Sequence, residues 1–375
     1  MFRILIIIFV FVSANVLSKA EAQETKMRAH FIDVGQGDAT LLEFDCGAVL
    51  IDTGGEYYRP DPQKPPVYDS TKKLTDYLDR FFKTRPNLNN RLESLILTHP
   101  HKDHTRGVPD ILEKYLPRHI VHNGQKHGSG DGGQLDAMYY ARQREKVDQW
   151  YVLERTTDNG LTNDIIDPLN CTAVDPKFIA LWGQVSSDRG WYDDDYDNEN
   201  NHSVVLRVEF GLASLLFTGD LEISEKGNRR AGIERLIREF RRGDLLDVDV
   251  YQVGHHGSFN GSSDELLSAM SPKIAILSHG PACERGRYSA WQFGHPRTKI
   301  VDMLERSVSG AREPVNGFMF DKHIGSYDKR SDYKPQRRQI EKAIYSTGWD
   351  GDIVLEANAD GDWQAVSLSG AQTCR

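Results

Sequence analysis

The chain has 375 residues, 39% hydrophobic and 27% charged, which supplies a full-sized core and excludes a wholly disordered polypeptide. Its formal charge of -9 at neutral pH works against non-specific nucleic-acid binding, which depends on phosphate neutralisation by Lys and Arg. The cluster Arg229, Arg230, Arg235, Arg238, Arg241 and Arg242 reads as the solvated face of one helix.

The N-terminus carries Arg3, the apolar run 4–12 and then Ala20-Glu21-Ala22, the layout of a secretory signal peptide spanning residues 1–22. A membrane anchor is the alternative, but spanning a bilayer takes roughly 20 apolar residues and this run is shorter. The rest, 23–375, reads as one elaborated domain with no second apolar stretch of spanning length. The expected location is the periplasm or the cell exterior, where disulfides persist. Cys46, Cys171, Cys283 and Cys374 form no C-x-x-C pair, and sequence leaves their three full pairings open.

Three short strand-like runs open the domain at 30–34, 39–44 and 48–52, separated by Gly35-Gln36-Gly37-Asp38 and Asp45-Cys46-Gly47, which predicts a meander. At 70–83, Leu74, Tyr77, Leu78, Phe81 and Phe82 recur at helical spacing. The strand 94–98 runs directly into a histidine cluster, and a helix follows at 109–115. The polar stretch 119–200, with a helix at 135–147, is expected to be an insertion over one edge that shapes a substrate pocket. Strands at 203–210 and 214–218, a charged helix at 223–241, a strand at 248–253, another at 273–277 and a helix at 298–306 come next. Strands at 353–357 and 363–366 close the chain. Blocks of strands with helices between them suit a layered α/β sandwich.

Three strand ends carry the chemistry. The first is His99-Pro100-His101-Lys102-Asp103-His104, in which His99 and His101 project to one side and grip one ion while Asp103 and His104 face a second. Imidazole with carboxylate is a zinc ligand set, and manganese or iron also fit it. The second is Thr218-Gly219-Asp220, where one carboxylate can span two cations about 3.5–4 Å apart. The third is Gly254-His255-His256-Gly257-Ser258. Here His255 is read as a ligand and His256 as a substrate-contact or proton-transfer group, with the reverse assignment left open.

With Phe31-Ile32-Asp33-Val34-Gly35-Gln36-Gly37-Asp38, Leu50-Ile51-Asp52-Thr53-Gly54-Gly55, Asn200-Asn201-His202-Ser203, Gly294-His295-Pro296 and Thr347-Gly348, these motifs resemble the metallo-β-lactamase superfamily, in particular its ComEC-type hydrolase-domain branch. The resemblance implies a four-layer αββα sandwich with metals in loops at one edge of the sheets. It implies that Asp52 orients the ligand loop and that Asp38 and Gln36 support the site without touching metal. Many enzymes of this fold supply a third first-site histidine, for which His202 is the nearest candidate. His295 either reaches the pocket or is a structural loop histidine, and the acidic run 193–195 reads as a solvated loop.

The implied chemistry is hydrolysis by a metal-bound hydroxide, since a bound cation lowers the pKa of water from about 15.7 toward about 7. Two divalent ions would be held by His99, His101, Asp103, His104, Asp220 and His255, with His202 a further candidate. Asp103, His256 and Ser258 would orient water and stabilise developing charge. Phosphoesters or phosphodiesters are the expected substrates, with lactones, β-lactams or thioesters as the runner-up. A non-catalytic metal-binding interaction protein is the alternative of another class, and the acidic charge favours a small substrate over polymeric nucleic acid.

Overall fold

The computed structural model describes residues 25–143, 149–152, 159–185, 191–224, 226–283, 286–322 and 334–370. The expected signal peptide, Cys374 and the end of the helix expected at 135–147 lie outside the described residues.

Strands β1 (Lys26–Phe31), β2 (Thr40–Glu43) and β3 (Ala48–Ile51) form the antiparallel meander. A small pair, β4 (Tyr57–Tyr58) and β5 (Tyr68–Asp69), follows. Then β6 (Ser94–Leu97), β7 (His119–His122) and β8 (Gln149–Val152) add in parallel beside β3. Next come β9 (Lys177–Trp182), β10 (Val205–Phe210), β11 (Ala213–Phe217), β12 (Val250–Gln252) and β13 (Ile274–Leu277). A hairpin, β14 (Ala311–Met319) and β15 (Gln336–Lys342), precedes β16 (Ile344–Ser346), β17 (Ile353–Asn358) and β18 (Trp363–Leu368). The eight-stranded sheet has the order β18-β17-β1-β2-β3-β6-β7-β8, and the six-stranded sheet β16-β13-β12-β11-β10-β9.

The period-2 pattern of the strands explains the layering. Met27, Ala29 and Phe31 of β1, Val49 and Ile51 of β3 and Ile96 of β6 join the core shared with the second sheet. Ala48, Leu50, Leu95 and Leu97 point the other way, into a core with Leu74, Leu78, Val108 and Ile111 of the helices Ser70–Thr84 and Val108–Lys114. Across the interior, the Phe44 ring meets Phe178 edge-on at 5.9 Å and Phe210 at 6.1 Å. The helices Gly232–Phe240, Asp264–Met270 and Thr298–Ser307 contribute Leu236, Leu267 and Leu304 to the core of the six-stranded sheet. The result is the expected αββα sandwich. Among the described residues, no helix is long and apolar enough to cross a membrane.

Some local expectations are corrected. The stretch 119–200 is built into the sandwich, because its short apolar runs form the parallel strands β7 and β8 and the first strand of the second sheet, β9. The charged helix begins at Gly232 rather than 223, since Gly227 and Gly232 adopt φ of 70° and 49° and break the helical path. The acidic run forms a short helix, Asp193–Tyr196, and Asp195 is buried, accepting from Ser224 Oγ and Asn228 Nδ2. Cys46 is disulfide-bonded to Cys171, and Cys283 is also disulfide-bonded.

One buried network predicts acid sensitivity. Glu43 accepts from His30 Nε2 at 3.0 Å and is paired with Arg85. Burial pushes its carboxyl up, but His30 and Arg85 outweigh that and hold it at about 2, against an ordinary 4.5. A depressed folded-state pKa gives stability that is fully present above pH 4.5 and is lost as pH falls toward 2. Urea denaturation of the wild type should therefore lose about 3 kcal/mol more than Glu43→Gln across that window. Parallel pH profiles for the two proteins would contradict the assignment.

Candidate metal centre

The motif loops meet at one edge of both sheets because backbone hydrogen bonds stitch them together. Asp38 N–H donates to Asp103 O at 3.1 Å, Thr53 N–H to His104 O at 2.7 Å, Val204 N–H to Thr98 O at 2.9 Å and His255 N–H to Gly219 O at 3.1 Å. Two glycines permit this approach. A Cβ on Gly55 would collide with the Asp103 backbone, and one on Gly219, whose φ is 51°, would lie 2.9 Å from Ser203 Cβ.

At the centre lies Asp220, buried at the end of β11. Its Oδ2 is 3.2 Å from His104 Nε2, 3.5 Å from His256 Nε2 and 3.7 Å from His99 Nε2. Burial pushes the Asp220 carboxyl up, but His104, His256 and His255 around it hold it well below the usual range. Asp103 behaves alike: burial opposes its charge, yet His256 Nε2 at 3.3 Å and His104 outweigh it. Two groups of donors come close enough to share a cation: His99, His101 and Asp220, and Asp38, His104, Asp220 and His256.

The imidazoles are oriented for this task. His104 donates from Nδ1 to Asp52 Oδ2 at 2.8 Å, and His256 from Nδ1 to the Ser278 carbonyl at 2.9 Å. The Thr98 hydroxyl donates to Asp52 at 2.7 Å, so the His99 Nδ1 proton has Thr98 Oγ1 as its acceptor at 3.1 Å. With Nδ1 protonated in all three, the lone pair lies on Nε2. Each of these Nε2 atoms is buried without a hydrogen-bond partner among the described residues, as is Asp220 Oδ1. Unpaired polar atoms in an interior are costly, and four converging ones of this chemistry fit a divalent cation. The donor set suits zinc, manganese or iron.

Several sequence-based assignments change. His202 is not a ligand here: Nδ1 accepts from Val185 N–H at 3.0 Å and Nε2 donates to Tyr196 O at 2.8 Å, so no lone pair remains. His256 takes the ligand position, whereas His255 turns its Nδ1 toward Glu222 Oε1 at 3.1 Å and its Nε2 lies 3.9 Å from Asp220. The cause is the backbone, since both histidines have left-handed φ, 51° and 54°, which swings their side chains apart. Ser258 is buried, and its hydroxyl makes no hydrogen bond to the cluster among the described residues. Asp38, expected only to support the loop, has a carboxylate oxygen in the second donor group and accepts from Gln252 Nε2 at 2.6 Å. Gln36 meets His295 Nδ1 at 3.2 Å, and the His295 ring stacks on His256 at 6.1 Å, so His295 belongs to the site. Glu199 and Glu222 were missed because lone carboxylates in turns carry no sequence signal of their own.

Asp52 takes the orienting role expected of it, accepting from Thr98 N–H, Thr98 Oγ1 and His104 Nδ1. Asp52→Ala should weaken metal binding roughly 10–100-fold by releasing His104. A chelator-competition titration reads this directly, and wild-type affinity in the variant would contradict it.

A family model described as the metallo-beta-lactamase superfamily matches residues 32–280, more than half of the chain. The chain belongs to the metallo-β-lactamase superfamily. ComE operon protein 3 of Bacillus subtilis (strain 168) is 29% identical over 309 residues, 79% of this chain and 33% of that protein. Recombination protein 2 of Haemophilus influenzae is 27% identical over 278 residues, 74% of this chain and 26% of that protein. The chain thus spans about a third or less of these curated relatives. Among solved structures, the metallo-beta-lactamase fold protein YhfI from Bacillus subtilis is similar at 12% identity and a TM-score of 0.39, covering 76% of this chain and 95% of YhfI. Members of the superfamily are mostly metal-dependent hydrolases, and the fold implies divalent metals at the cluster described above.

Proposed function

We propose that this protein is an exported, metal-dependent hydrolase acting on phosphoester or phosphodiester substrates. The observation that carries the reading is the convergence of the Nε2 atoms of His99, His104 and His256 on the buried Asp220 carboxylate. Divalent cations bound there would ionise water near neutral pH and stabilise charge on the attacked centre, and a pair sharing Asp220 suits in-line displacement. The chain's own residues do the positioning. Asp103, partly open to solvent, is placed to orient a water, and Asp52 and Ser278 fix the imidazoles that face it.

Beside the cluster, a cleft of about 460 Å³ opens between the loop that carries Gln125, Lys126 and His127 and a wall of Gln184, Tyr196 and Glu199. Its lining is polar, with Lys126 set against the carboxylates of Asp197 and Glu199, and its size suits a small substrate. The leader-like N-terminus and the Cys46–Cys171 disulfide support a location outside the cytoplasm.

The test is turnover of bis-p-nitrophenyl phosphate, nitrocefin and a lactone by the purified, zinc- or manganese-loaded chain. Phosphodiester hydrolysis is the expected result. Turnover of nitrocefin or the lactone alone would transfer the assignment to carbonyl chemistry, and metal uptake without turnover across an ester panel would favour a binding protein.

A further inference from the structure

His101 breaks the pattern set by its neighbours. His99, His104 and His256 each have Nδ1 tied to an oxygen, whereas His101 turns Nε2 toward the Glu199 carboxylate, whose Oε2 lies 3.6 Å away in ion-pair range. Glu199 opens the 3-10 turn Glu199–His202, and every following side chain of that turn is anchored. Asn200 donates to Glu222 at 2.6 Å, Asn201 donates to the Asp195 carbonyl at 2.9 Å, and His202 is held between Val185 and Tyr196. Asn198 caps the turn by accepting from Asn200 N–H at 3.1 Å. The carboxylate that faces His101 is therefore delivered by a fixed element. Glu199 is absent from the donor group of His99, His101 and Asp220, and the member of that group its carboxylate pairs with is His101.

We infer that Glu199 is the positioning residue of the first ion site: it keeps the His101 proton on Nε2, leaving Nδ1 as the donor that faces the ion. The turn that carries His202 thus supplies a carboxylate behind an existing imidazole where a third imidazole was expected. This mirrors Asp52 behind His104, and each ion position then has one carboxylate-backed histidine. Such partners orient the ring and raise its basicity, and their loss typically costs 10–100-fold in metal affinity. The inference rests on the metal-centre reading but not on hydrolysis or on the identity of the substrate.

The experiment is a cobalt titration of the metal-free full-length chain against a chromophoric chelator, with Glu199→Gln, Glu199→Asp, Glu199→Ala and His101→Ala variants. Two ions are expected in the wild type. In Glu199→Gln and Glu199→Ala the affinity of one ion should fall 10–100-fold while the other is retained, and Glu199→Asp should recover part of the loss. Adding Glu199→Gln to His101→Ala should change nothing further, whereas a merely structural glutamate would weaken binding in both backgrounds. Wild-type binding of both ions by Glu199→Gln, or equal weakening of both ions, overturns the inference alone. A wild-type chain that takes up no cobalt overturns the metal-centre reading with it.

Discussion

Replacing Asp220 by alanine is expected to abolish paired metal uptake and to lower phosphodiester turnover by on the order of 10³-fold or more, several kcal/mol of lost charge stabilisation. The reason is its position. One carboxylate oxygen lies within 3.2–3.9 Å of nitrogen atoms from His104, His256, His99 and His255, so no other side chain replaces it in both donor groups. Without it, the first group keeps only two neutral imidazoles and no carboxylate, and the second keeps Asp38 alone to offset cationic charge, so a pair of cations loses its shared anionic ligand. The backbone turn should survive, because it is held by Ser203 Oγ accepting from Asp220 N–H at 3.1 Å rather than by the carboxylate. Metal stoichiometry by plasma emission and kcat/KM, with circular dichroism as the folding control, read the effect. A variant that keeps two ions and wild-type turnover would contradict a shared carboxylate.

Breaking the Cys46–Cys171 disulfide should lower stability by about 4–5 kcal/mol, the chain-entropy value for a closed loop somewhat longer than 100 residues. The bond closes a sequence separation of 125 residues. That loop contains the helix Ser70–Thr84, the histidine motif and the strands β6 to β8, and it ties the β2–β3 turn to the segment entering the second sheet. Cys46 is exposed and therefore open to reductant. Urea denaturation of Cys46→Ser and Cys171→Ser should show matching losses, and the double variant should lose no more than either alone. Full wild-type stability in the single variants would show that the two sheets need no such tether.

What the sequence made legible were features that are contiguous in the chain. The meander, the strand leading into His99–His104 and the strand leading into Asp220 each combine an apolar run with its chemistry within about ten residues, so periodicity and motif reinforce one another. Features made by long-range contact were not legible. Whether His255 or His256 faces the donors is decided by two left-handed residues in succession, which composition does not foretell. His202 fails as a ligand because Val185 and Tyr196, 17 and 6 residues before it and outside the motif itself, take both ring nitrogens. Strands β7, β8 and β9 are four to six residues long in a polar stretch and are secured by their sheet partners rather than by their own pattern. Glu43, Glu199 and Glu222 acquire their partners only on folding.

The most direct test of the central claim is anomalous diffraction from crystals of the zinc-loaded protein, recorded on either side of the zinc absorption edge. Two peaks are expected, roughly 3.5–4 Å apart, one bounded by His99, His101 and Asp220 and the other by His104, Asp220 and His256. Zinc bound only elsewhere on the surface, with nothing between these side chains, would contradict it.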